Sequence, residues 1–267
     1  MHALRRIGVL AGLVGAYVRV NLQSALEYRV SFVSQVFSML LNDLLWLLFW
    51  LFYFGRFRLV GDWGRDQIVT LWAVVAVGFG LATALCGNLF RMAGIIVRGE
   101  LDLYLSLPKP VLPHLLISRM SLTALGDIAF GILVFGVLTH PSPVEWLLFV
   151  LVTLTTASVF IGFGIITQSL SFWLGHGEGL AQQLVNAMIS FSTYPTIIFH
   201  GWVKVALFTV IPAGFVAYVP VRLLQQFSWG WLLGLLGFCA GILVGAGLVF
   251  HTGLRRYESG NLITVRE

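Results

Sequence analysis

Charge is what this sequence has least of. Only 10% of its 267 residues are Asp, Glu, Lys or Arg, against about 25% in a soluble domain. With 58% hydrophobic residues and a mean hydropathy of +0.93, the polar residues are too few to cover a water-facing globule. Ten-residue segments of alternating polarity are also lacking, which excludes a transmembrane barrel. Cysteine is scarce: Cys86 and Cys239 both lie in apolar runs, so neither a disulfide framework nor a cysteine metal cluster is available. The only lysines are Lys109 and Lys204. Neither follows a glycine loop, so the chain has no Gly-x-x-x-x-Gly-Lys-Ser/Thr to cradle nucleotide phosphates. His-Glu-x-x-His and Gly-x-Ser-x-Gly are missing as well. The net charge of +5 is spread over loops, as orientation signals are, and does not point to nucleic acid.

What the chain does have is apolar runs of 20 or more residues, each long enough to cross a hydrocarbon core of about 30 Å as a helix. Residues 1–25 read as an uncleaved amphipathic helix lying along the membrane. Arg19 and Asn21 interrupt its apolarity, and no small-x-small cleavage signal follows. Spans are expected at about 30–54, 67–90, 114–139, 144–173, 180–199 and 229–250. The first ends in Trp46, Phe49, Trp50, Phe52, Tyr53 and Phe54, rings of the kind that collect at a membrane boundary. Residues 200–226 are apolar but carry Lys204 and Arg222 and are preceded or cut by Pro195, Pro212 and Pro220. Too few residues separate the two cations for a comfortable crossing, and Pro212 breaks the helix midway, so a hairpin dipping into one leaflet is expected. The whole reads as a single all-α membrane domain, 1–267.

Six spans put both termini on one side, and charge chooses the side. Arg5, Arg6, Arg19, Arg29, Arg91, Arg98, Lys109, Arg119, Arg255, Arg256 and Arg266 lie with the termini; Arg56, Arg58, Arg65, Lys204 and Arg222 lie opposite. The positive-inside rule makes the termini cytoplasmic. The loop at 174–179 has no Lys or Arg and contributes nothing to this bias.

The longest polar interruption of the first half is Arg98-Gly99-Glu100-Leu101-Asp102-Leu103-Tyr104-Leu105-Ser106-Leu107-Pro108-Lys109-Pro110. Leu101, Tyr104 and Leu105 fall at i, i+3 and i+4, one face of a short helix. Glu100 and Asp102 occupy its first turn, where the helix dipole favours carboxylates. An ordinary amphipathic loop on the headgroups has the same pattern. A six-span chain with no nucleotide site and no clear proton relay favours a lever driven by a separate motor.

Asp43 and Asp127 are the acids nearest mid-span. Intramembrane carboxylates usually face a bundle interior or a wet cavity. They read either as a cation or proton site or as helix–helix hydrogen bonds with Asn42, Asn88 or Gln168. The six histidines (His2, His114, His140, His176, His200 and His251) are scattered near span ends, and no metal site is expected. Small residues at Gly78–Gly80, Gly162–Gly164 and Gly241–Gly247 suit close helix packing.

Three stretches, Leu26-Glu27-Tyr28-Arg29, the interruption with His114-Leu115-Leu116 behind it, and Tyr194-Pro195 with Ile211-Pro212 through Val219-Pro220 and the closing Gly253-Leu254-Arg255-Arg256-Tyr257-Glu258-Ser259-Gly260-Asn261, resemble the six-span permease subunits of type-2 ATP-binding-cassette exporters. The resemblance implies an elbow helix at the N-terminus and re-entrant extracellular helices after Tyr194. It also implies a coupling helix at Gly99, Glu100, Leu101, Asp102, Tyr104 and Leu105, seated in a cytoplasmic ATPase. Two permeases, as homodimer or heterodimer, would assemble with two ATPase subunits in the cell membrane. ATP and Mg would sit in the partner, no cofactor in this chain, and the chain would not be an enzyme. The pathway, for an amphipathic, drug-like or lipid substrate, would run at the permease interface, with Phe32, Phe37, Asn42, Asp43 and Trp46 as candidate lining. The alternatives are an ion-coupled carrier or channel, or a membrane-embedded enzyme, each using Asp43 and Asp127.

Overall fold

A computed structural model describes residues 2–57, 59, 63–175 and 177–257, with side chains from Val14 onward. The side chains of Arg5 and Arg6, and Arg58, His176, Arg266 and the 258–261 end of the closing motif, lie outside the described residues. All described secondary structure of any length is helical. In chain order it comprises α1 (His2–Glu27), α2 (Arg29–Arg56), α3 (Arg65–Leu85), α4 (Met92–Val97), α5 (Asp102–Leu105), α6 (Val111–Ile117), α7 (Leu125–Thr139), α8 (Pro143–Ser169), α9 (Glu178–Ser192), α10 (Gly201–Thr209), α11 (Val219–Gln225) and α12 (Trp229–Leu254).

Among the described residues five helices are long and apolar enough to cross a membrane: Arg29–Arg56, Arg65–Leu85, Leu122–Thr139, Pro143–Phe172 and Trp229–Leu254. The pair Gly201–Thr209 and Gly214–Gln225, bent by 73°, would make a sixth if it were one span. This corrects three sequence expectations. The second span ends at Leu85 rather than 90. The third starts at 122 rather than 114, because α6 stops at Ile117 and the polar Ser118 and Ser121 are drawn into loop hydrogen bonds. The expected fifth span, 180–199, is α9, whose 15 residues reach only about 22 Å. It ends just before Tyr194-Pro195, where the pre-proline residue is pushed out of helical backbone.

Hydrogen bonds and ring contacts sort the connections into two ends of the bundle. At one end the Gly87 N–H donates to Arg119 O (2.9 Å), joining the segments after α3 and before α7. The Ala93 N–H donates to Gln168 Oε1 (2.9 Å), tying α4 to the end of α8. Phe250 of α12 packs edge-on to Phe172 at 5.6 Å. At the other end Trp50 of α2 packs on Tyr194 at 5.9 Å, and Trp63, just before α3, on Tyr218 at 6.3 Å. Helix α9 therefore runs between the ends despite its length: Glu178 at its start faces Arg98, and Tyr194 beyond its finish meets Trp50. Helix α1 joins the first end, where its Asn21 Oδ1 accepts from the Met120 N–H (3.2 Å).

Helix α3 is the bundle's axis, with Leu71, Ala73 and Val74 fully buried; such burial stabilises by about 25 cal/mol per Å² of apolar surface. Helix α7 ends at His140, which adopts left-handed backbone (φ 48°), and Pro141 follows. Helix α8 starts with a reciprocal cap: the Ser142 N–H donates to Glu145 Oε2 (2.7 Å) and the Glu145 N–H to Ser142 Oγ (3.4 Å). Of the small-residue stretches, Gly162 closes on Ile242 and Gly164 on Leu89, whereas Gly241, Gly245 and Gly247 face open space. Pro212 sits at the 73° bend, its carbonyl accepting from the Phe215 and Val216 N–H groups. Pro195 precedes a single turn at Thr196–Ile198. Pro220 breaks no helix: it lies inside the continuous helical run Gly214–Gln225, just after the π-helical stretch Gly214–Tyr218, and the Val216 carbonyl that its missing N–H cannot serve accepts instead from Thr156 Oγ1 (3.0 Å).

Candidate functional site

Two places stand out. The first is a half-open cavity of about 380 Å³ walled by α2, α3, α7, α8 and the end of α9. Its aromatic side is Trp46 against Trp72, near-parallel with centroids 6.3 Å apart, continued by Phe79 edge-on to Phe160 at 5.4 Å. Its polar side is Asn42, Asp43, Asp127, Ser190 and Thr193. Asp43 stands midway along α2 and Asp127 in the first turn of α7, and their carboxyl groups are within hydrogen-bonding reach of each other.

Local packing brings them together. A Cβ on Gly126 would lie 2.8 Å from Val36 O and 3.0 Å from Met39 Cβ, and one on Gly80 would lie 3.2 Å from Asp127 Cβ. Only glycine at both positions lets α7 press this closely on α2 and α3. Asp127 is 5% exposed, and its Oδ2 has no hydrogen-bond partner; Trp72, 6% exposed, has its indole N–H unpartnered. A buried polar atom left unpaired is costly, and two carboxylates in contact repel unless a proton or another cation lies between them.

Of the five pathway candidates, Asn42, Asp43 and Trp46 line this cavity. Phe32 does not; it lines a separate pocket near the start of α2, about three turns from Asp43. Phe37 is also displaced, with its ring exposed on the outside of α2. The family resemblance put all five in one pathway set, but a helix turns 100° per residue, so Phe37 points away from Asp43. Trp72, Phe79 and Thr193 went unnoticed because aromatic and hydroxyl residues are ordinary in apolar spans. Neither Asn88 nor Gln168 serves the acids. Asn88 Nδ2 donates to Leu115 O (3.0 Å) and Ser118 Oγ (2.8 Å), while Gln168 is held by Ala93.

The second place is the 99–110 segment. Gly99 takes positive φ (72°) and ends α4, after which α5 makes one turn, Asp102–Leu105. The expected face of Leu101, Tyr104 and Leu105 divides. Leu101 is 0% exposed, inside a second apolar cluster with Leu89, Met92, Leu115 and Phe250. Tyr104 is half-buried, its hydroxyl 3.1 Å from Ser118 Oγ and its ring edge-on to His114 at 5.3 Å. The exposed apolar side chains of the segment are instead Leu103, 70% exposed, with Leu105 and Leu107. Glu100 forms an exposed ion pair with Arg98 (2.7 Å). Asp102 faces Tyr257 beyond α12, whose phenol burial and that carboxylate push up to about 12. The segment is thus tied to α6 and α12, and through His114 to Tyr17 of α1.

Among the described residues no group of three or more His, Cys, Asp or Glu converges as a metal site requires. Residues 40–260 match the model of the ABC-2 family transporter proteins. The chain belongs to that family. It is a membrane permease of ABC-2 type. No curated protein and no solved structure matches it. Helix α3 lies between the two places, lining the cavity with Trp72, Val75 and Phe79 and ending at Leu85 beside the second apolar cluster.

Proposed function

We propose that this permease forms, with a second permease copy or paralogue, the export pathway for an amphipathic substrate carrying a cationic head. Two cytoplasmic ATPase subunits, holding ATP and Mg, would drive it. The observation that carries the substrate class is Asp127: a 95% buried carboxylate with an unpartnered oxygen, facing Asp43 in a cavity walled by Trp46 and Trp72. A cation lying between the acids would relieve their repulsion, and the rings offer it a π-face at the same depth.

In this reading α1 is the elbow helix, and the 99–110 segment is the coupling helix on the cytoplasmic side, where the positive-inside bias places it. The bent α10–α11 pair is the re-entrant cap on the outer face, and α9 is a short fifth span, giving six with both termini cytoplasmic. Leu103, Leu105 and Leu107 dock on the ATPase, while Leu101 and Tyr104 pass its movement inward. ATP must favour one pathway state over the other for this to drive transport. The chain supplies no catalytic residue; hydrolysis occurs in the partner.

The test is ATPase activity of the reconstituted complex against pairs of cationic amphiphiles and their neutral isosteres. Stimulation by the cationic members, weakened in Asp127→Asn, is the expected result. Equal stimulation by both members would refute the cation reading. Transport without any ATPase subunit would favour the ion-coupled carrier instead.

A further inference from the structure

A second cavity, of about 660 Å³, opens where the start of α2 meets the segments after α3 and before α7. It is predominantly polar. Arg91 and Arg119 line it, with Asn21, Ser31, Gln35 and Ser121, and no acidic residue does. Both arginines are exposed, and among the described residues neither has a carboxylate partner. Two guanidinium groups without a carboxylate partner, lining a donor-rich cavity, call for an anion, and the planar fork of arginine suits phosphate oxygens.

The walls are fixed rather than loose. Asn21 holds the Met120 N–H and donates to Tyr17 O (2.8 Å). The Gly87 N–H holds Arg119 O (2.9 Å). Gln35 Nε2 donates to Ser31 Oγ (2.8 Å), and Ser121 Oγ lies 3.0 Å from Thr123 Oγ1.

Depth selects the source of the anion. Ser31 and Gln35 belong to the first two turns of a 28-residue apolar helix and are exposed, so they stand at the edge of the hydrocarbon, where a soluble subunit does not reach. Gly87 and Arg119–Ser121 lie just beyond the ends of two further spans, the level of the headgroups. The positive-inside bias puts this end at the leaflet that is rich in anionic lipid. We propose that this cavity binds the phosphate of an anionic phospholipid, wedged between α1, α2 and the α6–α7 connection.

Native mass spectrometry of the full chain, solubilised with equal amounts of phosphatidylglycerol and phosphatidylcholine of the same acyl chains, tests this. The wild type should retain phosphatidylglycerol preferentially. Arg91→Gln and Arg119→Gln should each cut that preference about fivefold. Arg255→Gln with Arg256→Gln, basic residues at the same end, should leave it within twofold. The Lys variants at 91 and 119, which keep the charge, should retain most of it and guard against a folding artefact, as should an unchanged elution volume of each Gln variant. An unaltered preference in the double variant Arg91→Gln/Arg119→Gln overturns the site. So does an equal loss in Arg255→Gln/Arg256→Gln, which would make the effect one of general surface charge. Displacement of the lipid by millimolar inorganic phosphate would overturn the lipid assignment in favour of a soluble anion.

Discussion

Tyr17 Oη lies 2.6 Å from His114 Nε2, joining two residues 97 positions apart. This contact couples α1 to α6, and His114 in turn meets Tyr104 of the 99–110 segment edge-on at 5.3 Å. A movement of that segment therefore reaches α1 through one buried imidazole.

Burial, then the nearby Lys109, holds His114 below its ordinary value of 6.5. The folded state thus favours neutral imidazole, while the unfolded chain binds a proton below about pH 6.5. Stability from this group is full above 6.5 and falls as the pH drops below it. Thermal unfolding in detergent between pH 8 and pH 5 should show a loss of midpoint on the acid side that is smaller in His114→Gln. An identical acid loss in the variant would remove His114 as its cause.

Leu101 and Leu103 should separate stability from coupling. Truncating the buried Leu101 to Ala is expected to destabilise the chain by about 2–5 kcal/mol, the usual range for a core leucine. Leu103→Ala, at an exposed site, should change stability by no more than about 0.5 kcal/mol yet lower ATPase co-purification or substrate-stimulated hydrolysis. Denaturation midpoints and pull-down yields from the same preparations decide the matter. Unimpaired coupling in Leu103→Asp would argue against docking through this face.

The cavity acids invite paired substitutions. Asp127→Asn preserves shape and removes charge, so a cationic amphiphile should lose about tenfold or more in apparent affinity while its neutral isostere is unaffected. Asp43→Asn should act in the same direction but less strongly, because Asp43 is only half-buried. Half-maximal concentrations for ATPase stimulation give both numbers. Equal losses for the charged and neutral ligands would mean that the substitutions disturb packing instead.

Gly126→Ala tests how the acids are brought together. The added methyl must push against Val36 O and Met39, and overpacking of this kind costs roughly 1–3 kcal/mol. Separating α7 from α2 should also weaken a disulfide engineered between positions 43 and 127 in a cysteine-free background. A crosslinking yield equal to that of the glycine parent would show that the contact does not depend on Gly126.

How much was legible depended on the kind of physics involved. Composition and apolar length are local quantities, and they were enough for an all-helical membrane chain, for the approximate places of α2, α3, α8 and α12, and for the break at Pro212. The short α9 was misjudged in length because its apolar pattern continues into Tyr194–Phe199, while the helix stops for a backbone reason at Pro195. The split third span was missed because Ser118 and Ser121 are tolerable in a helix until tertiary hydrogen bonds claim them.

The amphipathic pattern of 101, 104 and 105 marked a face but not its direction. At the end of a bundle an apolar side chain can point into the core or out to a partner, and spacing is the same for both. Only packing showed Leu101 turned inward and Leu103 outward. Likewise the apolar residues around Asp43 and Asp127 already put both acids in helices where a carboxylate needs a reason. The tertiary structure alone decided that they face each other, because residues 84 positions apart meet only when Gly80 and Gly126 allow three helices to close.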